Sequence, residues 1–316
     1  MSKRDLLNFR DLTREEMVRI FALAKGLKRK LKEEIPHPLL ARKCLAMIFE
    51  KPSLRTRVTF EAGMVQLGGH AVFLGPNEVQ LGIRETPADC ARSLSRWVDL
   101  ITVRTFSQST LEEMAAYATV PVINALTDLS HPCQVLADCL TLIEHKGELQ
   151  GLKVAFVGDG NNMVHSWIEA AEKLPISFAV ACPKGYEPNK EIEERARKDG
   201  AQIVVTHSVE EAVAGADAVY TDVWASMGQE EEATTRFKAF RDYQVNARVV
   251  AMAKKDAVVM HCLPAHRGQE ITHDVLEGPQ CIAFDQAENR LHVQKAIMVW
   301  LLRSFKDLDN DPWIST

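Results

Sequence analysis

Cys44-Leu45-Ala46-Met47-Ile48-Phe49-Glu50-Lys51-Pro52-Ser53-Leu54-Arg55-Thr56-Arg57 runs from a short unbroken apolar stretch into a cluster of hydroxyls and guanidiniums. The apolar part reads as a buried strand, and Val58-Thr59-Phe60-Glu61-Ala62-Gly63-Met64 after the cluster reads as a helix. Ser53 to Arg57 thus stand where a strand ends and a helix begins. Backbone N–H groups at a helix start lack intrahelical acceptors, and the helix dipole favours an anion there. Ser53 and Thr56 add hydroxyl donors, and Arg55 or Arg57 a bidentate fork, which makes the segment a phosphate socket in outline. A plainer alternative fits the same residues: a capping serine followed by solvated arginines.

The same rhythm repeats outward from this stretch. Thr13 and Glu16 have capping-box spacing ahead of Met17, Ile20, Phe21 and Ala24. Apolar runs over 71–74, 100–103 and 120–124 alternate with helix-like stretches over 86–97 and 109–117, which predicts a parallel sheet covered by helices. A long helical stretch over 132–145 ends at Lys146-Gly147, and a second series opens after Gly151. Its expected strands cover 153–157, 177–182, 202–206, 218–221 and 257–260, with helices over 191–198 and 209–214 among them. The expected fold class is therefore α/β: two doubly wound parallel-sheet domains of similar size, 1–147 and 148–289, joined by inter-domain helices. A last helix within 290–316 is expected to pack back on the first domain. Ligands of doubly wound sheets bind beyond the carboxyl ends of the strands. The polar motifs fall at those ends, so the active site is expected in a cleft that both domains share.

A chain of 316 residues suits two cores of ordinary size. Its net charge of −5 argues against a sequence-independent grip on nucleic acid, so cationic chemistry here must be local. The seven cysteines are an odd number without regular spacing, and Cys44, Cys139 and Cys182 sit in apolar runs, which suits a reducing compartment. Met1-Ser2-Lys3-Arg4-Asp5-Leu6-Leu7 has no apolar leader pattern, and no apolar stretch approaches a membrane span. The expectation is a cytoplasmic protein without nucleic-acid or membrane partners.

Several motifs admit more than one chemistry. Val157-Gly158-Asp159-Gly160-Asn161-Asn162 invites a dinucleotide reading but fails it twice. Met163 replaces the third glycine, and the next strand ends in Ala181-Cys182-Pro183 where an acidic residue should meet a ribose. Asn161 and Asn162 fit better as polar groups offered to a small ligand, or as a plain turn. His131-Pro132-Cys133-Gln134 starts a helix with proline at its first position, placing an imidazole and an amide at the entry. His261-Cys262-Leu263-Pro264-Ala265-His266 suggests metal ligands or a thiol nucleophile, yet it lacks an identifiable third ligand and a base for Cys262. Asp222-Val223-Trp224-Ala225-Ser226-Met227-Gly228 offers a carboxylate able to hold an ammonium group, or a turn cap.

Taken in order, Ser53-Leu54-Arg55-Thr56-Arg57, His131-Pro132-Cys133-Gln134, the Asp222 segment and His261-Cys262-Leu263-Pro264 resemble the aspartate/ornithine carbamoyltransferase family, and most closely its ornithine-using members. The resemblance runs nearly end to end, through Gly75-Pro76, Gln80-Leu81-Gly82, Arg104 and Glu288-Asn289-Arg290. It implies transfer of a carbamoyl group from carbamoyl phosphate to the δ-amine of L-ornithine, giving citrulline and phosphate, with no cofactor and no metal. By position it implies carbamoyl phosphate contacts from Ser53, Leu54, Arg55, Thr56, Gln80, Arg104, His131, Gln134, Cys262, Leu263 and Arg290. Ornithine contacts fall on Asn162, Asp222, Ser226 and Met227, and catalytic roles on Thr56, Arg104, His131 and Cys262. Gln80 matches a loop residue that reaches a neighbouring subunit, implying a homotrimer with shared sites. One departure is Leu54, where the family segment often has threonine. Putrescine, an N-acylated ornithine or aspartate are rival acceptors, and a non-catalytic sensor of ornithine or carbamoyl phosphate is the rival from another class. Asp222 disfavours aspartate, whose second carboxylate needs a cation.

Overall fold

The computed structural model describes residues 3–225, 233–303 and 308. The chain divides into two units, one of Met1–Leu140 with Glu288–Thr316 and one of Thr141–Ala287. Both crossings between units fall inside helices, Pro132–Lys146 and Ala283–Leu302.

In the first unit four parallel strands, β1 (Cys44–Phe49), β2 (His70–Leu74), β3 (Leu100–Arg104) and β4 (Val122–Leu126), lie in the order β2-β1-β3-β4. β1 and β3 are central, and nearly all their residues are buried, as unbroken apolar runs require of a parallel sheet covered on both faces. β4 starts two residues later than the apolar run 120–124, because Pro121 has no N–H to give a ladder. Its edge is partly closed by Leu6, which exchanges backbone hydrogen bonds with Val122 and Asn124 at 2.9 and 2.8 Å.

The second unit holds β5 (Lys153–Val157), β6 (Ser177–Ala181), β7 (Gln202–Thr206), β8 (Ala218–Thr221) and β9 (Val258–His261), all parallel, in the order β7-β6-β5-β8-β9. Its core stacks Phe156 on Tyr220 and Trp167 on Phe178, with ring centroids 5.4 and 6.1 Å apart.

Two sheet orders of this kind each have one topological switch point, where successive connections leave in opposite directions and open a crevice at the carboxyl ends. In the first unit it lies between β1 and β3, and in the second between β5 and β8. The residues just beyond those four strands are thereby singled out.

The helices correct the sequence reading in two places that matter. Helix Leu54–Gln66 begins four residues before the expected start, so Leu54 to Arg57 are its first turn and not a loop. The last helix begins at Ala283, seven residues early. Gln286, Asn289, Arg290, His292, Gln294 and Lys295 are buried there beside Val293, Ile297 and Met298, so the first half of the helix buries polar side chains that an apolar stripe would not predict. No helix of the described residues is long and apolar enough to cross a membrane.

Candidate active site

At the first switch point Ser53 caps helix Leu54–Gln66, its hydroxyl oxygen accepting the Thr56 N–H at 3.3 Å. This is the plain capping role, but it occupies only the acceptor side of the hydroxyl and leaves its proton to donate. Leu54 is 73% exposed, so what position 54 offers at the helix start is its backbone N–H. Across the crevice Arg104 ends β3, paired in register with Phe49 of β1, and is buried.

Arg290 reaches this helix start from far along the chain. Its Nη2 donates to Thr56 Oγ1 at 3.0 Å, its Nε to Gln294 Oε1 at 3.0 Å, and its Nη1 to Gln134 Oε1. Gln134 in turn donates through Nε2 to Asp138 Oδ1 at 2.8 Å, and Thr59 Oγ1 donates to Gln294 Oε1 at 3.0 Å. All but Thr59 are buried. Three helices are therefore tied together through one guanidinium.

His131 follows the tight turn at 127–130, where Ser130 N–H bonds Thr127 Oγ1 at 3.1 Å and Thr127 N–H bonds the Ser130 carbonyl at 2.9 Å. Burial, and then the positive charges of Arg290, Arg104 and Arg55, hold its imidazole well below the usual histidine pKa. A neutral imidazole surrounded by three guanidiniums marks a pocket of strongly positive potential with an uncharged N–H donor in it. Such a pocket suits a doubly charged anion carrying a polarisable carbonyl.

The second switch point places Asn161 and Asp222 together. Asp222 is the first residue after β8; its Oδ2 accepts from Asn161 Nδ2 at 3.1 Å and its Oδ1 from Val223 N–H at 2.8 Å. Cys262, just beyond β9, donates its thiol to Asp222 Oδ1 at 3.0 Å. The group beside the sulfur is thus an anion, the opposite of the electropositive surroundings that activate a thiolate nucleophile. Asn162 is the first residue of helix Asn162–Lys173, with Asn161 as its cap.

Gly160 explains the failed dinucleotide motif. A Cβ there would lie 2.3 Å from Pro188 N and 2.5 Å from the Glu187 carbonyl carbon, and its N–H bonds the Tyr186 carbonyl at 2.9 Å. The close approach this glycine permits is to the protein's own backbone. Asp159 beside it pairs with Arg236, which also donates to the Trp224 carbonyl; burial outweighs that guanidinium and pushes the carboxyl up to about 6.

Asp222, His261 and Cys262 each offer a ligand atom, all within 4.8 Å of one another. The imidazole does not fit a metal. His261 Nδ1 accepts Leu263 N–H at 2.8 Å, so its proton sits on Nε2 and is donated to Glu270 at 3.1 Å. His261 and Glu270 instead hold the Cys262-Leu263 turn, where Leu263 adopts φ +59°.

The first unit therefore assembles Ser53, Leu54, Arg55, Thr56, Arg104, His131, Gln134 and Arg290. Asn162, Asp222, Cys262 and Leu263 belong to the second. Gln80 is exposed at the left-handed C-cap of Pro76–Val79. Ser226 and Met227 lie outside the described residues. Sequence reasoning missed Asp138, Gln294, Thr59 and Glu270. The first two stand four residues after Gln134 and Arg290, a spacing that puts each pair on one helix face.

Two α/β units, one with a cationic pocket at its switch point and the other with a carboxylate at its own, suit a transferase that takes an anionic donor and a cationic acceptor. Residues 4–144 match the aspartate/ornithine carbamoyltransferase carbamoyl-P binding domain, and 150–301 match the Asp/Orn binding domain of the same family. The chain belongs to the aspartate/ornithine carbamoyltransferase family. Among its relatives, the ornithine carbamoyltransferase of Desulfotalea psychrophila is 55% identical over 91% of this chain and 95% of its own length. That of Carboxydothermus hydrogenoformans is 54% identical over 95% and 97%. The solved ornithine carbamoyltransferase of Pyrococcus furiosus superposes with a TM-score of 0.90 at 51% identity, covering 94% of this chain and 96% of that one. The anabolic enzyme of Campylobacter jejuni gives 0.89 at 40% identity, covering 94% and 98%.

Proposed function

We propose that this chain is an ornithine carbamoyltransferase, moving the carbamoyl group of carbamoyl phosphate to the δ-amine of L-ornithine to give citrulline and phosphate. The convergence of Arg55, Arg104 and Arg290 on a neutral His131 carries the reading, supported by relatives above 50% identity that bear this activity in their names. The anabolic Campylobacter jejuni enzyme favours a place in arginine biosynthesis.

Ser53, Arg55, Thr56 and the backbone N–H of Leu54 take the phosphate, with Arg104 beside them. Thr56, Arg104, His131 and Arg290 donate toward the carbamoyl oxygen, where negative charge builds as the amine attacks. Each such donor is worth about 3 kcal/mol in the transition state. Gln134 and the carbonyls of Cys262 and Leu263 accept from the carbamoyl NH2 and the attacking amine. Asp222 holds the α-ammonium of ornithine, aided by Asn162, Ser226 and Met227. The δ-amine must be neutral to attack; its C–N bond forms, the bond to the phosphate oxygen breaks, and the departing phosphate accepts the amine proton. Cys262 orients and does not become acylated.

Carbamoyl phosphate and ornithine are the proposed small-molecule partners, and the working form is a cytoplasmic homotrimer in which Gln80 serves a neighbour's site. A ureido-product assay with ornithine, N-acetylornithine, putrescine and aspartate in parallel tests the reading. Product with ornithine alone is expected. Product with putrescine or N-acetylornithine in its place reassigns the acceptor, and none with any of the four favours a binding protein.

A further inference from the structure

Gln134 sits between two partners of opposite kind. Asp138, one helical turn on and fully buried, can only accept, whereas the Arg290 guanidinium can only donate. Gln134 gives Nε2 to the carboxylate at 2.8 Å and takes a hydrogen bond from Arg290 on Oε1. The reversed amide would set N–H against N–H on one side and oxygen against oxygen on the other, in a site 2% exposed or less. We propose that Asp138 is a positioning residue that locks the Gln134 amide with its oxygen toward Arg290, and thereby makes the pocket choose a carbamoyl group over an acyl group. This inference rests on the carbamoyl-transfer reading above.

The selectivity follows from the lone pairs. An amide oxygen has two, and Arg290 engages one, so the second is open to a ligand donor. A carbamoyl phosphate and an acetyl phosphate differ by NH2 against CH3 next to the same carbonyl. Donors from Arg290 and Thr56 greet that carbonyl in either ligand, but a fixed Gln134 oxygen rewards only the NH2. Arg290 is itself immobilised by Thr56 and by Gln294, whose oxygen also binds Thr59, so the amide is held from both sides: Arg290 calls for its oxygen and Asp138 for its N–H. A neutral asparagine at 138 can donate or accept, so the amide is then held from the Arg290 side alone and its orientation loosens.

The test compares binding of phosphonoacetamide, phosphonoacetone and inorganic phosphate to the full chain by calorimetry, without ornithine. The unaltered protein should prefer the amide to the ketone. Asp138→Asn should reduce that preference by about tenfold, as when a site built for a hydrogen bond loses its geometry, while phosphate affinity stays within about twofold. The exchange pair Asp138→Asn with Gln134→Glu restores complementarity: a carboxylate now faces Arg290 and accepts from the new amide. It keeps charge and shape, so it also serves if the single variant does not fold, and it should retain the preference. An unchanged preference in the single variant, an equal loss for all three ligands, or no preference in the exchange pair overturns the proposal. If the unaltered protein neither prefers the amide nor makes citrulline, the carbamoyl reading falls and the inference with it. Citrulline formation together with an unaffected Asp138→Asn preference removes Asp138 alone.

Discussion

At the scale of single residues, adjacent positions in the phosphate socket do different work. Leu54 turns its side chain to solvent and offers a backbone N–H, whereas Arg55 is half-buried and its charge reaches His131. Leu54→Thr, which restores the commoner family residue, should alter the KM for carbamoyl phosphate by no more than about two- to threefold, the scale of a surface change. Arg55→Ala removes a charge-assisted contact of about 2 kcal/mol and should raise that KM by about thirtyfold. Steady-state kinetics at saturating ornithine read both. A large effect of Leu54→Thr would mean that the side chain itself enters the site.

At the scale of elements, the site depends on how helix Ala283–Leu302 lies against helix Leu54–Gln66. Arg290 and Gln294 bind Thr56 and Thr59 across this pair, and further along Lys295 donates to Gln66 Oε1 at 2.9 Å and meets His37 Nε2 at 3.1 Å. Lys295 is fully buried, and burial lowers its ammonium from 10.5 to about 8. A depressed ammonium means that the unfolded chain holds its proton to higher pH than the folded one does. The contribution to stability is therefore complete above pH 10.5, and is lost as pH falls through about 8. Relative to Lys295→Met, the unaltered protein should gain on the order of 3 kcal/mol between those limits. Urea unfolding of both proteins at pH 7.5 and 10.5, about half a unit below the lowered value and at the ordinary one, gives the difference. An identical pH slope in the two would show that Lys295 titrates normally.

At the scale of the whole molecule, the single chain leaves Gln80 exposed and Ile83 87% exposed in the same loop, as a segment that serves a neighbour would be. Sedimentation equilibrium should report three chains per particle. Mixing inactive Arg104→Ala chains with inactive Gln80→Ala chains should restore activity, because a hybrid contains sites with Arg104 from one chain and Gln80 from the next. A monomer, or no recovery on mixing, would confine Gln80 to its own chain.

Strands, their alternation with helices and the polar clusters at their ends were legible without coordinates, because burial on both faces of a parallel sheet writes itself as short apolar runs. The ordered motifs from Ser53 to His261 likewise stand in the linear sequence and point to the family. What only the tertiary structure decided concerns groups whose partners are remote in the chain. The first half of helix Ala283–Leu302 buries polar side chains, so periodicity could neither find its start nor show that Arg290 would meet Thr56 and Gln134. Asp138 carries no mark as a buried carboxylate until Gln134 and Arg290 are seen on either side of one amide. The motif around Gly160 already fails the dinucleotide pattern in the sequence, but why a glycine stands there is shown only by Tyr186 to Pro188 lying over it. Hydrophobic pattern is a local property and survives in the sequence, whereas the direction of a hydrogen bond depends on both partners and exists only once the chain has brought them together.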